Sequence, residues 1–253
     1  MATINRYGEG DVVMSTDKVV TSTWSDNTNN LQTFHTSAIQ ATQTDPNSQG
    51  NFFINAYHKA TSSVDAEVQF SVGYGHKEGS GSKDFTHDTG SFGFSAAKVV
   101  YNQYRQLVYG DETQNFTFST HTPDDIYFIN VNRSRYRHNL KPGSLNLKLK
   151  NGVNTIQLTD DSVTSTGSAV ITNIGRQFNL VSGSSGVMLG SNVNQVGTTS
   201  SYGFVYPDAG LIVLNPDALS SAPLALASTK VGNSNGNNGT KLLTVMEAGD
   251  QFI

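Results

Sequence analysis

The clearest pattern in the chain is an alternation of apolar and polar residues between positions 64 and 74. Such alternation is typical of a strand in an antiparallel sheet that buries one face and exposes the other to water. Similar short runs recur along the chain, separated by Gly, Asn, Asp and Pro, which favour turns. Further strands are therefore predicted near residues 51–58, 114–120, 126–136, 169–171, 177–181 and 187–189. A hairpin is predicted over residues 204–214, around the turn residues Pro207-Asp208-Ala209-Gly210.

The segment 145–158 predicts a β-hairpin. Two alternating runs flank Asn151-Gly152, a dipeptide that is typical of a two-residue turn with a type I′ backbone. A turn at that position pairs Leu147 with Ile156 and places the leucines of both strands on one face.

Residues 95–110 instead have the period of an α-helix. Ser95 has a side chain suited to the N-cap, and Gly110 is suited to a C-terminal stop. The apolar stripe of this helix consists of Ala97, Val100, Tyr101, Tyr104, Leu107 and Val108. The predicted fold class is mainly β, with antiparallel, sandwich-like sheets and one central α-helix near residues 95–109, that is, a β-rich α+β fold.

The length of 253 residues is compatible with one large domain. We predict a main β-rich structural domain over residues 1–220 and a C-terminal arm or extension over residues 221–253. The segments 1–15 and 228–253 are expected to become ordered by packing on neighbouring chains.

The composition excludes several classes of function. Only 14% of the residues are charged, against about 25% in typical soluble domains, and uncharged polar residues take their place. Without cysteine there is no disulfide and no cysteine-based zinc site. The net charge of −4 argues against nucleic acid, and no apolar run is long enough to span a membrane. No signal peptide is recognisable, so we expect synthesis in a cytoplasm.

Positive charge is concentrated at one place in the middle of the chain. Arg133, Arg135 and Arg137 are predicted to share one strand face, and His138 and Lys141 follow directly. Like charges on one face need water or acidic partners, so these five residues form the candidate interface. They would either join a salt-bridge network or dock onto an acidic partner chain, and exposed pairs contribute about 0–1 kcal/mol each.

Candidate chemistry is sparse. His76, Asp84, His87 and Asp88 lie in one glycine-rich segment, but their spacing matches no zinc motif and such a loop is poorly preorganised. We therefore predict no metal and no cofactor.

Three acidic pairs raise the possibility of a glycosidase, which needs two carboxylates across a sugar. The pairs are Asp111-Glu112, Asp124-Asp125 and Asp160-Asp161. Neighbouring residues on a strand point to opposite faces, so turn and cap roles are favoured. A hydrolase acting on cell-envelope sugars would need distant carboxylates to converge, for example Asp84 or Asp88 with Asp124 or Glu112. A Ser–His–Asp triad has no GxSxG elbow to support it. We predict that the protein is not an enzyme.

Three runs carry a resemblance to a known family. They read GSFGFSAAKVVYNQYRQLVYGD, DDIYFINVNRSRYRHNLKPGSLNLKL and SYGFVYPDAGLIVLNPDAL. With these runs the chain resembles virion structural proteins of marine cyanophages with contractile tails, over about residues 11–220. The resemblance implies a place in the tail, the baseplate or the tail-fibre attachment apparatus.

The expected function is therefore a non-enzymatic structural role in a tail–baseplate assembly, in the virion and after synthesis in the host cytoplasm. The expected partners are other tail and baseplate proteins and further copies of this chain, in a symmetric arrangement. The first alternative is a receptor- or glycan-binding tail adhesin module, which needs an exposed aromatic groove for a host surface glycan. The second alternative is the envelope hydrolase.

Overall fold

The computed structural model describes residues 23–25, 27–36, 53–81, 96–163, 169–189, 201–227 and 238–253. Ten strands are found within these residues: β1 Ile54–Tyr57, β2 Val68–His76, β3 Asp125–Val131, β4 Leu147–Asn151, β5 Asn154–Asp160, β6 Val170–Thr172, β7 Gly175–Ser184, β8 Val187–Met188, β9 Gly203–Tyr206 and β10 Leu211–Leu214. Three helices accompany them: α1 Ala96–Tyr109, α2 Pro216–Ser220 and α3 Asn238–Gly249.

The strands form one curled antiparallel sheet, shaped like half a barrel. Its order is β1-β2-β3-β10-β9-β7-β5-β4, and the short strands β6 and β8 both pair with β7. The prediction of a mainly β, β-rich α+β fold is confirmed. The expectation of one long helix is wrong, because α3 also lies within the described residues, whereas α2 is a short helix capped by Asn215.

The larger of two buried clusters covers one side of the sheet, here called the α3 side. It joins Leu242 and Met246 of α3 to residues that alternate along the strands, such as Tyr127 and Ile129 of β3. The cluster runs across the sheet from β1 and β2 to β5 and β4 and includes Phe252.

The second cluster covers the opposite side, here called the α1 side. Val100, Tyr101 and Val108 of α1 pack there with Ile126 and Phe128 of β3. Because neighbouring residues of β3 belong to different clusters, both faces of this strand are buried. Consecutive apolar residues in β3, β9 and β10 are therefore explained by cover on both sides.

Helix α1 confirms the predicted helix at residues 95–110, with two corrections. Gly110 has a φ of +69°, and its N–H bonds to the carbonyl oxygen of Gln106 at 2.9 Å, which ends the helix as expected. Leu107, however, is 47% exposed, so it is not part of the buried stripe. Tyr104 is half-buried and lies 4.3 Å from the ring of Phe128. Ser95 lies outside the described residues.

The β4–β5 hairpin forms at the predicted place in a different register. Leu147 lies opposite Leu158, and not opposite Ile156 as predicted, because the turn is Gly152-Val153. Asn151 stays in the strand, where its side chain donates to the carbonyl oxygens of residues 224 and 225 at 3.2 and 3.0 Å. Gly152 takes φ +61° at the first turn position, while φ of Val153 is not positive, so the turn resembles type II′.

The segment 114–120 is not a strand, which corrects that prediction. Phe116 and Phe118 lie in an irregular loop, and their side chains are buried. In this part of the described chain, the only β-type pairing is an isolated bridge between Phe118 and His121. The loop covers the α1 side of the sheet together with α1.

The described part of the predicted C-terminal arm packs on the sheet of the same chain. Helix α3 lies against β4 so closely that a Cβ on Gly249 would come within 1.8 Å of the carbonyl oxygen of Lys148. The N–H of Lys148 donates to the carbonyl oxygen of Gln251 at 3.0 Å and continues this edge. This intramolecular packing differs from the expected packing on neighbouring chains, whereas the boundary at residue 220 stays a prediction. Residues 1–15 and 228–237 lie outside the described residues.

Candidate functional site

The predicted basic strand face does not form, because strand β3 ends at Val131. The next residue, Asn132, accepts hydrogen bonds from the N–H and Oγ of Ser134 at 3.0 and 2.8 Å. This side-chain bonding replaces the strand ladder and starts a 3-10 turn over Arg133–Arg135. Arg133 and Arg135 therefore lie in a 3-10 turn and contact different partners, and Arg137 follows the turn, which corrects the predicted common strand face.

Arg133 is used by its own segment. Its guanidinium donates to the carbonyl oxygens of Tyr136 and Arg137, the latter at 2.5 Å. It also lies over the ring of Tyr136, 4.6 Å from the centroid, as in a cation–π contact. Arg133 therefore holds the chain that follows the turn.

Arg135 has an acidic partner within the chain. Its side chain is 15% exposed and forms an ion pair with Glu67 at 2.9 Å. The hydroxyl of Ser25 bonds to Glu67 at 2.6 Å, and this bond, together with Arg135, lowers the pKa of the Glu67 carboxyl. The expected salt-bridge network is thus present for this one arginine.

The other three candidate residues are exposed. The side chains of Arg137, His138 and Lys141 have no hydrogen bond or ion pair within the described residues, and we call them the cationic segment. The backbone between them is fixed, since the N–H of Leu140 donates to the carbonyl oxygen of Pro207 at 2.9 Å. The structure therefore separates the five predicted residues into two whose side chains have partners in the same chain and three whose side chains have none within the described residues.

The carboxylate of Asp208, next to the cationic segment, fixes the β9–β10 turn. Asp208 accepts hydrogen bonds from the backbone N–H, Nε and a terminal nitrogen of Arg176 at 2.8, 3.1 and 2.6 Å. Asn139 also donates to it, at 3.4 Å. Arg176 lowers the pKa of Asp208 to about 2. At neutral pH this carboxylate ties β7, the turn and the cationic segment together.

A second surface, not foreseen from the sequence, lies at the border of the α1 side. It is an open groove of about 370 Å³. We call it the carboxamide groove, and its lining consists of Val108, Tyr109, Gln114, Asn115, Thr117, Val170, Ile171, Thr172, Asn173, Gln177 and Phe204. These residues come from the end of α1, the following loop, the β6–β7 hairpin and β9.

The aromatic part of the groove is held by ring contacts. The ring of Tyr109 lies 5.2 Å from that of Phe116, and Phe204 stacks on Phe118 at 4.7 Å. Burial raises the pKa of Tyr109, so its phenol stays neutral at physiological pH.

The wall of the groove is held by polar contacts. Gln177 accepts a hydrogen bond from the hydroxyl of Tyr206 at 2.9 Å. The N–H of Asn173 donates to the carbonyl oxygen of Val108 at 3.2 Å and joins the β6–β7 turn to the end of α1. The side-chain nitrogen of Asn173 lies next to Gly110, 2.4 Å from where a Cβ on that residue would be, and the φ of +69° at Gly110 favours a glycine.

The paired carboxylates have structural contacts. Asp160 accepts from the N–H of Gly143 at 2.7 Å, and Asp161 accepts from the backbone and side-chain nitrogens of Asn179 at 2.9 and 2.8 Å. Both carboxylates are almost fully buried. These contacts join segments that are distant in sequence. Of the two carboxylates, Asp160 also accepts from the N–H of Ser162 at 3.3 Å, which is the local turn bond that was predicted.

The other two pairs lie in different settings. Asp111 accepts from the N–H of Thr113 at 2.7 Å, next to the end of α1. Asp124 pairs with Lys77 at 2.8 Å, and the buried Asp125 accepts from the hydroxyl of Tyr74 at 3.1 Å. No acidic side chain is among the described residues that line the carboxamide groove.

The candidate metal ligands are only partly described. His76 is buried at the end of β2, whereas Asp84, His87 and Asp88 lie outside the described residues. Within the described ranges, no three His, Cys, Asp or Glu residues are grouped as a metal would require. In the same ranges, no helix has the length and apolar character needed to cross a bilayer.

Comparisons with protein-family models, with curated proteins and with solved structures gave no match. The sequence pointed to the cationic segment because its charges are neighbours along the chain. It did not reveal the groove, because uncharged Asn, Gln and Thr are common throughout.

Proposed function

We propose that this chain is a non-enzymatic structural component of a contractile-tailed phage particle that docks onto other tail or baseplate proteins through the cationic segment. The observation that supports the proposal best is the exposure of Arg137, His138 and Lys141 on a fixed backbone. The resemblance of the three sequence runs to cyanophage virion proteins supplies the class of partner.

The two halves of the basic region suit this role for different reasons. Arg133 and Arg135 already have partners within the chain, so they hold the segment in place. Arg137 and Lys141 remain available to an acidic surface, where complementary charge steers association and fixes orientation. Because the backbone is already anchored, little conformational entropy is lost on docking.

The composition supports a multi-copy assembly. Only 14% of the residues are charged and uncharged polar residues are abundant, which suits large repeated interfaces in a symmetric particle. In such an assembly the cationic segment would contact an acidic face of a neighbour in every repeat.

The test is charge reversal at the cationic segment. Arg137→Glu and Lys141→Glu, alone and together, should reduce incorporation of the chain into purified particles, with the double variant absent or nearly absent. Both side chains are exposed, so the variants should keep the wild-type circular dichroism and thermal unfolding.

Lys150→Glu is the matched control, since Lys150 is an exposed lysine on β4, in another part of the sheet. It should be incorporated like the wild type. Normal incorporation of the folded double variant would contradict docking through the cationic segment.

A second proposal, a receptor- or glycan-binding module at the periphery of the particle, is favoured by one observation. The carboxamide groove places a tyrosine ring and several amides on one open surface. Binding of the purified chain to host cells, absent from a control β protein of similar charge, is the test.

A further inference from the structure

The carboxamide groove is uncharged throughout. None of its lining residues is acidic, basic or histidine, and the phenol of Tyr109 is neutral at physiological pH, with a pKa that burial raises further above its ordinary value. A phosphate, a nucleic acid or an acidic sugar would therefore be desolvated here without a compensating charge. The groove selects for a neutral ligand.

The polar groups of the groove match hydroxyl groups. Four carboxamides line it, and each offers both donors and an acceptor: Gln114, Asn115, Asn173 and Gln177. A sugar hydroxyl likewise donates and accepts, so one carboxamide can bond to a hydroxyl in either sense. The hydroxyls of Thr117 and Thr172 add further partners of the same kind.

An apolar edge runs along the same groove. Ile171 is 74% exposed and Val170 is 59% exposed, on the short strand β6. The half-buried ring of Tyr109 also lines the groove. A ligand that covers these residues must have an apolar face as well as a polar rim, which is the character of a pyranose ring with its C–H face and its hydroxyl edge.

The site is largely preformed. Tyr109 is held by Phe116, Gln177 by Tyr206, and Asn173 by the end of α1. Groups that are fixed before binding lose little freedom when a ligand arrives. The volume of about 370 Å³ lies in the range of about 300–1,000 Å³ that is usual for small-molecule sites.

We propose that the carboxamide groove binds a segment of a neutral oligosaccharide, with Tyr109 and Ile171 against the C–H face of one ring and the carboxamides on its hydroxyls. The inference deepens the second proposed function and is independent of docking through the cationic segment.

The experiment uses the full chain and a panel of short neutral gluco-, manno- and galacto-oligosaccharides, with oligogalacturonate as the acidic comparison. Titration calorimetry or ligand-observed NMR should detect binding of at least one neutral oligosaccharide. The affinity for it should stay the same between about 50 and 500 mM salt. Binding of the acidic probe alone, in a salt-dependent manner, would overturn the proposal.

Two exposed residues serve as test variants, because they can be changed without disturbing the core. Gln114→Ala and Asn173→Ala should each weaken the binding of the neutral probe by about tenfold, as expected for a lost hydrogen bond. Gln103→Ala is the matched control, since Gln103 is exposed on α1 and is not part of the groove. Gln103→Ala should bind the neutral probe with wild-type affinity. All three variants should unfold at the same temperature as the wild type.

Three outcomes would overturn the inference: no member of the neutral panel binds, both test variants bind like the wild type, or Gln103→Ala weakens binding as much as they do. Host-cell binding that survives Gln114→Ala and Asn173→Ala would keep the adhesin proposal and remove the groove from it. Particle incorporation of these variants tests neither point, so failure here leaves the docking proposal unaffected.

Discussion

The two sides of the sheet are built differently. On the α3 side, one apolar cluster reaches from Phe70 of β2 to Leu149 of β4, and α3 and Phe252 close it. On the α1 side, the cover ends near β9, and the outward face of the β4–β5 hairpin carries residues such as the exposed Lys150.

The difference explains both the sequence pattern and the place of the groove. Where the second side is bare, in β4 and β5, apolar and polar residues alternate. Where both sides are covered, as in β10, the run LIVL is entirely apolar. The carboxamide groove lies at the border, where the cover of α1 and its following loop stops and polar residues begin.

The largest expected effect on stability is at a leucine of the α3 side, which we compare with a leucine of α1. Leu149 is fully buried beneath α3, so Leu149→Ala should lower the free energy of unfolding by about 3–5 kcal/mol. Leu107 is 47% exposed, so Leu107→Ala should cost less than about 1 kcal/mol. Urea unfolding of both variants measures this, and equal losses would mean that α1 is as deeply packed as α3.

Smaller effects are expected for two tyrosines of the α3 side, whose rings lie 5.6 Å apart. Removal of one hydroxyl should lower the free energy of unfolding, whereas removal of the other should leave it unchanged or raise it. The hydroxyl of Tyr74 bonds to the buried Asp125, so Tyr74→Phe should destabilise by about 1.5–3 kcal/mol. Within the described residues the buried hydroxyl of Tyr127 has no hydrogen-bond partner, so Tyr127→Phe should be neutral or stabilise by up to about 1 kcal/mol. Chemical denaturation compares them, and a large loss in Tyr127→Phe would reveal a missing partner.

The smallest effect is a pH-dependent one at the β9–β10 turn. Arg176 lowers the folded-state pKa of Asp208 to about 2, so the pair stabilises the fold above the unfolded pKa of about 4. This contribution is lost as the pH falls through about 2. Because water screens the partly exposed pair, Asp208→Asn should cost about 1 kcal/mol at pH 7 and almost nothing near pH 2.

Unfolding curves at several pH values test this difference, with the exposed Glu247→Gln as the control. If Asp208→Asn lowers the free energy of unfolding by the same amount from pH 7 to pH 2, the charge of Asp208 does not contribute to stability.

The sequence predicted what local patterns determine. The helix at residues 95–110 and the β9–β10 hairpin follow from periodicity and turn residues. The register of β4–β5 was wrong because Asn151 is held by a contact with residues 224 and 225, which are distant in sequence. Helix α3 was missed because it begins in an Asn- and Gly-rich segment and is stabilised by packing on β4.

The candidate sites likewise combine features that the local sequence reveals with features that depend on side-chain contacts or on distant segments. Five basic residues near one another in the sequence were recognisable, but the turn set by Asn132, which gives Arg133 and Arg135 different directions, depends on a side-chain bond. The groove combines four separate segments, and its amides differ in no local property from the many others in the chain.

The most direct test of the central claim, a structural role in the virion, is quantitative mass spectrometry of purified contractile-tailed particles whose genome encodes this chain. The proposal predicts that the chain is present at a fixed multiple of the copy number of tail proteins, as a symmetric assembly requires. Absence from the particles, with the chain abundant in the lysate of the infected cells, would contradict it.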